Sequence, residues 1–270
     1  MNATVISIIN NKGGVGKTMT AHNLSAALAA KGKKVCMIDF DSQHNLTNRC
    51  ENPDREDTAL IDHNYTGRSI EDYLEDTTLE ISPIIVKKNL SLIPATIRLA
   101  ELSAKLYGMK KSEGPSDRLK LLCSDLQETY DFIIVDSEPG MSALMVNATK
   151  AADIIIIPVS CMDALSGAGE GVFGIMDSNF LNTPYYFLQT MYEGRLRSSR
   201  DIRSTLLEDA CDHTFRTYIK RNEYLNSAGE IGKDIFEYLP KSGGATDYKD
   251  LATEIISILK KNNPKQIRKE

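Results

Sequence analysis

Residues 4–18 read TVISIINNKGGVGKT, and this stretch decides the fold. Thr4 to Ile9 is a β-branched, apolar run of the kind that forms a strand buried on both faces. Gly13, Gly14 and Gly16 follow it. Leu24, Ala27, Leu28 and Lys31 then recur at helical spacing until Gly32 offers a stop. A strand, a glycine-rich turn and a helix in that order form a phosphate cradle. Successive backbone N–H groups turn inward around phosphate oxygens, and the helix N-terminus adds partial positive charge. The run Asn11-Lys12-Gly13-Gly14-Val15-Gly16-Lys17-Thr18 has the lysine and the hydroxyl that such a turn requires. Lys17 is expected to reach the β- and γ-phosphates of a nucleotide, and the Thr18 hydroxyl to ligate Mg²⁺, with Met19 next in the binding turn.

Outward from that turn the same form repeats. Val35 to Asp39 (VCMID), Leu90 to Pro94, Phe132 to Asp136, Ile154 to Pro158 and Tyr185 to Gln189 are short apolar runs. Helical patterns fall between them at about Arg98–Tyr107, Asp117–Thr129, Ser142–Ala152 and Ser199–Ala210, and an amphipathic helix at about Tyr248–Lys261 closes the chain. Near-continuous apolar strands alternating with helices predict an α/β fold: one P-loop domain over residues 1–261, a mostly parallel twisted sheet with helices on both faces. Asn48–Arg68 and Met109–Ser116 read as surface excursions, and residues 262–270 as a polar tail.

Composition narrows the function classes. At 270 residues, 41% hydrophobic and 26% charged, the chain is long enough to bury a core without disulfides. Its formal net charge of -5 argues against coating of nucleic acid by bulk charge and leaves room for a local basic face. No apolar run approaches the roughly 20 residues of a spanning helix. The start lacks the basic stretch and cleavage site of a signal peptide, and the five scattered cysteines are expected to be reduced thiols in a cytoplasmic protein.

A nucleotide hydrolase needs carboxylates beside the metal and beside the attacking water. The apolar run ending in Asp136 places one carboxylate at a strand end, next to the metal. Asp39-Phe40-Asp41-Ser42-Gln43-His44-Asn45-Leu46-Thr47 offers two more. Asp39 and Asp41 point the same way if the strand runs through both.

These motifs carry a resemblance. Lys12, ahead of the usual phosphate-binding lysine in KGGVGKT, resembles the deviant Walker A sequence of the ParA/MinD family of ATPases, and within it the ParA/Soj-type partitioning ATPases. Asp39–Thr47 resembles the family's switch I (DxDPQGNxT), and Asp136 to Asn147 its switch II. Leu92-Ile93-Pro94-Ala95, Ala148–Pro158, Thr190–Arg195 and Ile219–Asn222 match further family segments in order. The resemblance implies ATP and Mg²⁺ as cofactors, with Gly13, Gly14, Val15, Gly16, Lys17, Thr18 and Met19 around the phosphates and Met191 and Lys220 near the adenine. It implies that Thr18, Asp39 and Asp136 serve the metal and that Asp41 orients water. Lys12 would reach the nucleotide held by the other subunit of a homodimer. Ser42, His44 and Glu138 depart from the family's usual proline, glycine and proline.

Within such a family the ATPase is shared and the task varies. The chain's end, with Pro264 and a lone apolar Ile267, does not make a stable amphipathic membrane anchor. Between residues 195 and 221 stand seven basic residues (Arg195, Arg197, Arg200, Arg203, Arg216, Lys220 and Arg221) against four acidic ones, which suggests a face for the phosphates of non-specific duplex DNA. Arg200 and Arg203 share a helical face if the segment is helical. The other reading is a solvated helix carrying its own ion pairs. The resemblance thus implies a nucleoid-associated dimer that moves plasmid or chromosome cargo, stimulated by a ParB-like adaptor. A MinD-like or cargo-assembly ATPase acting without DNA is the alternative.

Overall fold

The computed structural model describes residues 2–51, 68–109 and 116–262. Its centre is a seven-stranded sheet in the order β3-β4-β2-β5-β1-β6-β7. The strands are β1 (Thr4–Ile8), β2 (Val35–Phe40), β3 (Ile84–Lys87), β4 (Leu90–Ile93), β5 (Phe132–Ser137), β6 (Ile154–Val159) and β7 (Tyr185–Gln189). All neighbours are parallel except β3, an antiparallel edge strand on β4 that the sequence pattern did not announce.

Alternation along the strands explains the layers. In β5, Ile133 and Val135 point into one core while Phe132 and Ile134 point into the other, and β6 divides its residues in the same way. One core lies under α3 (Ile70–Glu75), α4 (Arg98–Gly108), α5 (Arg118–Leu126), α6 (Ala143–Ala151) and the α7 (Met162–Ala168) and α8 (Gly174–Ser178) pair, which a π-helical turn joins. The other lies under α1 (Lys17–Ala30), α2 (Asn45–Cys50), α10 (Glu223–Glu230), α11 (Ile235–Tyr238) and α12 (Gly243–Asn262). Helix α9 (Arg197–Asp209) packs beside β7 and contributes Ile202 and Leu206 to the first core. Each fully buried isoleucine or leucine is worth roughly 2–3 kcal/mol.

The expected strands and helices fall where these elements lie, with shifted ends. Helix α12 begins at Gly243, ahead of Tyr248, because Ser242 caps it by accepting from Ala245 N at 3.1 Å. The first residues of the expected excursion at Asn48–Arg68 are helical, as the end of α2. Residues 52–67 of that stretch, most of the Met109–Ser116 loop and the tail beyond Asn262 lie outside the described residues.

Candidate functional site

The glycine turn joins β1 to α1 at the C-terminal edge of the sheet, where parallel α/β sheets bind ligands. Gly14 and Gly16 have φ of +74° and +89°, conformations that L side chains rarely adopt. Lys17 opens α1 and is 6% exposed, its ammonium folded back to donate to Asn10 O at 3.2 Å and Lys12 O at 3.3 Å. Asn10 itself braces the turn. Its Oδ1 accepts from Lys12 N at 2.9 Å, and its amide donates to Pro158 O at 2.8 Å and Ala164 O at 3.1 Å. Sequence reading missed Asn10, because a polar residue at a strand end carries no local mark of partners on β6 and α7.

The register sets the carboxylates. Asp136 pairs with Ile8 on one side and Asp39 on the other, so both acids stand beside the glycine turn. Asp39 is held by three hydrogen bonds: Oδ2 accepts from Thr47 N at 2.8 Å and Thr47 Oγ1 at 2.6 Å, and Oδ1 from Asp41 N at 3.3 Å. Asp136 is buried and neither oxygen makes a hydrogen bond of normal geometry among the described residues, although the Thr18 hydroxyl and the Lys17 ammonium are near enough to offset part of the effect of burial. Burial, with the charge of Asp39 adding to it, pushes Asp136 well above the usual carboxylate range. Burial likewise lifts Asp39 to about 7, against the Thr47 and Asp41 hydrogen bonds. The same burial lowers the Lys17 ammonium, opposed by Asp136, Asp41 and Glu138. A buried carboxylate with lone pairs to spare beside a phosphate cradle and the Thr18 hydroxyl suits a divalent cation that takes most of its ligands from phosphate and water. Of the residues expected at the metal, Asp136 keeps most of its acceptor sites free, while Asp39 also ties the end of β2 to α2 through Thr47.

Strand β2 ends at Phe40, so Asp41 does not continue it as the two-residue spacing suggested. Asp41 starts a turn, accepting from Gln43 N at 2.9 Å, and is 5% exposed at the wall of a cavity of about 700 Å³. That cavity is also lined by Gly13, Gly14, Gly16, Lys17, Thr18, Met19, Thr190, Met191, Ile219 and Lys220, which brings together the expected phosphate and base ends. Val15, buried, lies behind the turn, and its carbonyl accepts from Thr190 Oγ1 at 2.8 Å. Met191 lies in the left-handed region with φ +53°. Lys220 is ion-paired to Asp247 at 3.0 Å. Glu138 sends its carboxylate toward α4, where it accepts from Ser103 Oγ at 3.3 Å.

Lys12 is not part of this lining. Its ammonium lies on Asp163 of α7 at 3.2 Å, with Lys12 44% and Asp163 80% exposed. Loose surface pairs of this kind are worth at most about 1 kcal/mol.

His44 stands where the family has glycine, and its φ is +42°. Its ring Nδ1 is buried without a hydrogen-bond partner among the described residues. Strain in the left-handed region and an unmet polar atom both cost stability. His44→Gly is therefore expected to raise the unfolding free energy by about 1 kcal/mol in urea titration, whereas His44→Ala, which keeps the strained backbone, should gain less.

The basic segment folds largely onto itself. Arg203 donates to Phe215 O at 3.0 Å and Arg216 O at 2.7 Å and lies against the Tyr218 ring. Arg200 donates to Gly194 O at 2.7 Å. Glu193 pairs with both Arg195 and Arg221, and Arg197 pairs loosely with Asp201 at 3.6 Å. Arg195 and Arg197 remain 85% and 88% exposed, and Arg216 is exposed as well.

A left-handed glycine turn into a helix, a buried lysine, and aligned aspartates on parallel strands define a P-loop nucleotide-binding protein. Residues 3–176 match the family described as an AAA domain. The sporulation initiation inhibitor protein Soj of Bacillus subtilis (strain 168) is 36% identical over 261 residues, covering 93% of this chain and 97% of that protein. The chromosome-partitioning ATPase Soj of Thermus thermophilus is 32% identical, covering 93% and 95%. Among solved structures, a putative plasmid partition protein of Borrelia burgdorferi B31 bound to AMPPNP superposes with a TM-score of 0.79 at 24% identity, over 96% of this chain and all of that one. A cobyrinic acid a,c-diamide synthase of Mycobacterium smegmatis with bound ATP analogue and magnesium has a TM-score of 0.72 at 25% identity, over 96% of each chain. The chain belongs to the ParA/MinD family of P-loop ATPases and is ParA-like. No described helix is long and apolar enough to cross a membrane.

Proposed function

We propose that the protein is a Mg²⁺-dependent ATPase that forms an ATP-bound homodimer, binds duplex DNA without reading its sequence, and partitions plasmid or chromosome cargo. The observation that carries the ATPase reading is the cavity under the glycine turn lined by Lys17, Thr18 and Asp41, with the buried Asp136 beside that turn in register with Ile8 and Asp39. The turn's N–H groups and Lys17 hold the phosphates, and Met191, Ile219 and Lys220 wall the base. Thr18 and Asp136 would hold Mg²⁺, which neutralises phosphate charge when bound. Asp41 holds a water in line with the γ-phosphate, and its attack yields ADP and phosphate. Lys12, directed away from its own cavity, meets the γ-phosphate of the facing subunit. Such switches turn over slowly until a partner stimulates them, and a ParB-like adaptor is the expected partner. A nucleoid-bound, cytoplasmic protein follows from DNA binding in the ATP state.

Support for the DNA face rests on the exposed Arg195, Arg197 and Arg216 rather than on Arg203, whose guanidinium is used within the fold. With ATP, random-sequence duplex is expected to bind, and with ADP not. In Arg195→Ala/Arg197→Ala the slope of log affinity against log salt should fall by about 2, one for each lost phosphate contact. Equal binding by this variant and the parent would remove the face from the reading. An absence of binding in every nucleotide state would leave an ATPase switch acting on protein or lipid.

A further inference from the structure

We infer that Arg49, supplied by α2, is a phosphate-binding residue of the nucleotide cavity. The inference deepens the nucleotide reading of that cavity and rests on it. Arg49 lies in the last turn of α2, just beyond the Asp39–Thr47 segment. Leu46, Thr47 and Cys50 of the same short helix are buried, which fixes α2 and leaves Arg49 directed into the gap between α2 and α10. There the guanidinium lines the same cavity as Lys17, Thr18 and Asp41.

Its own contacts do not account for it. A guanidinium has five N–H donors in a rigid fork. Among the described residues Arg49 forms a single hydrogen bond, from Nη1 to Leu225 O at the long distance of 3.5 Å. A half-buried cation with most of its donors unused, in a cavity with a phosphate cradle, is matched to an anion that accepts two bonds at once. Asp136, beside the glycine turn, is close enough for its charge to act on the guanidinium, so phosphates held at that turn are the natural acceptors. Burial lowers the guanidinium's pKa, opposed by Tyr248, Asp136, Cys50 and Glu230, so bound phosphate would restore charge balance lost with hydration.

The facing helix leaves room for it. A β-carbon at Gly229 on α10 would collide with Arg49 Nη1 and crowd its Cζ, although the Gly229 backbone is not in the left-handed region. Glycine there admits the guanidinium, not an unusual turn. Gly229→Ala is thus a way to move the Arg49 head group without removing its charge, since the colliding atom is the far end of a flexible side chain.

The test is titration of the full chain with fluorescent ADP, and competition by adenosine, for the parent, Arg49→Ala, Arg49→Lys and Gly229→Ala. Arg49→Ala is expected to weaken ADP about 10–100-fold, the loss of a charge-assisted bond, and to change adenosine less than about twofold. Arg49→Lys should recover part of the loss, and Gly229→Ala should resemble Arg49→Ala. Thermal unfolding checks that each variant is folded, and if Arg49→Ala is not, Arg49→Lys and Gly229→Ala carry the test. Parent-like ADP affinity in the folded variants overturns the inference and leaves the nucleotide reading intact. Equal losses for ADP and adenosine also overturn it, making Arg49 a strap between α2 and α10. A parent protein that binds no ADP overturns both.

Discussion

Lys17→Ala is expected to weaken ATP binding on the order of 100-fold and to bring hydrolysis to background. The ammonium is fixed inside the glycine turn, held by Asn10 O at 3.2 Å and Lys12 O at 3.3 Å. Both acceptors are neutral carbonyls, so a phosphate can replace them at little cost. A charge-assisted bond of this kind contributes about 1.5–3 kcal/mol to binding, and more where charge grows on the transferring phosphoryl group. Calorimetric titration with a non-hydrolysable ATP analogue separates the two effects. Binding is lost because the ground-state contact is lost, and turnover falls further because that contact strengthens in the transition state. Lys17 also offsets Asp136 and Asp41, whose charges raise its pKa against burial. Removing it leaves those acids without their compensating cation, so the variant should bind protons more readily at Asp136. Near-parental ATP affinity in the folded variant would contradict the placement of phosphates at this turn.

What could be read in the sequence follows the range of the interactions concerned. The glycine turn is specified within a few residues, and its strand, glycines and lysine are legible without a structure. The alternation of apolar runs with helical patterns gave the α/β class for the same reason. Strand β3 was not legible, since Ile84–Lys87 is four residues on an edge, lies just after Pro83, and pairs antiparallel through a register shift. Helices α10 and α11 are only eight and four residues long, and side-chain caps from Asn222 and Asp234 fix where they begin. The braces of the site are long-range. Asn10 bonds a residue 148 positions away, Lys12 one at 151 and Arg49 one at 176, and no window along the chain contains such pairs. Asp39 shows the limit most sharply. Its place in the motif was readable, but the hydrogen bonds its two oxygens accept from Thr47 and Asp41 are revealed only by the fold of that segment.

Lys12→Ala should give a different defect, and the contrast with Lys17→Ala is the sharper test. Lys12 does not line its own cavity, so its loss should leave nucleotide binding by the monomer within a few-fold of the parent. Dimerisation with a non-hydrolysable ATP analogue should weaken about 100- to 10,000-fold, because each dimer loses two charge-assisted contacts of about 1.5–3 kcal/mol. Light scattering after size exclusion reads that loss directly, and hydrolysis should fall with it. Asp163 holds the same ammonium at 3.2 Å, and the pair is exposed enough that separating it costs at most about 1 kcal/mol. Asp163→Asn therefore frees Lys12 without deleting it, and it is expected to keep or modestly strengthen the ATP-dependent dimer. A Lys12→Ala protein that still dimerises and hydrolyses ATP would place Lys12 outside the reaction, as a surface lysine paired with Asp163. A protein that loses monomer binding as well would make Lys12 a ligand of its own nucleotide. Only the separation of the two losses, binding kept and dimer gone, fits a lysine that acts on the facing subunit.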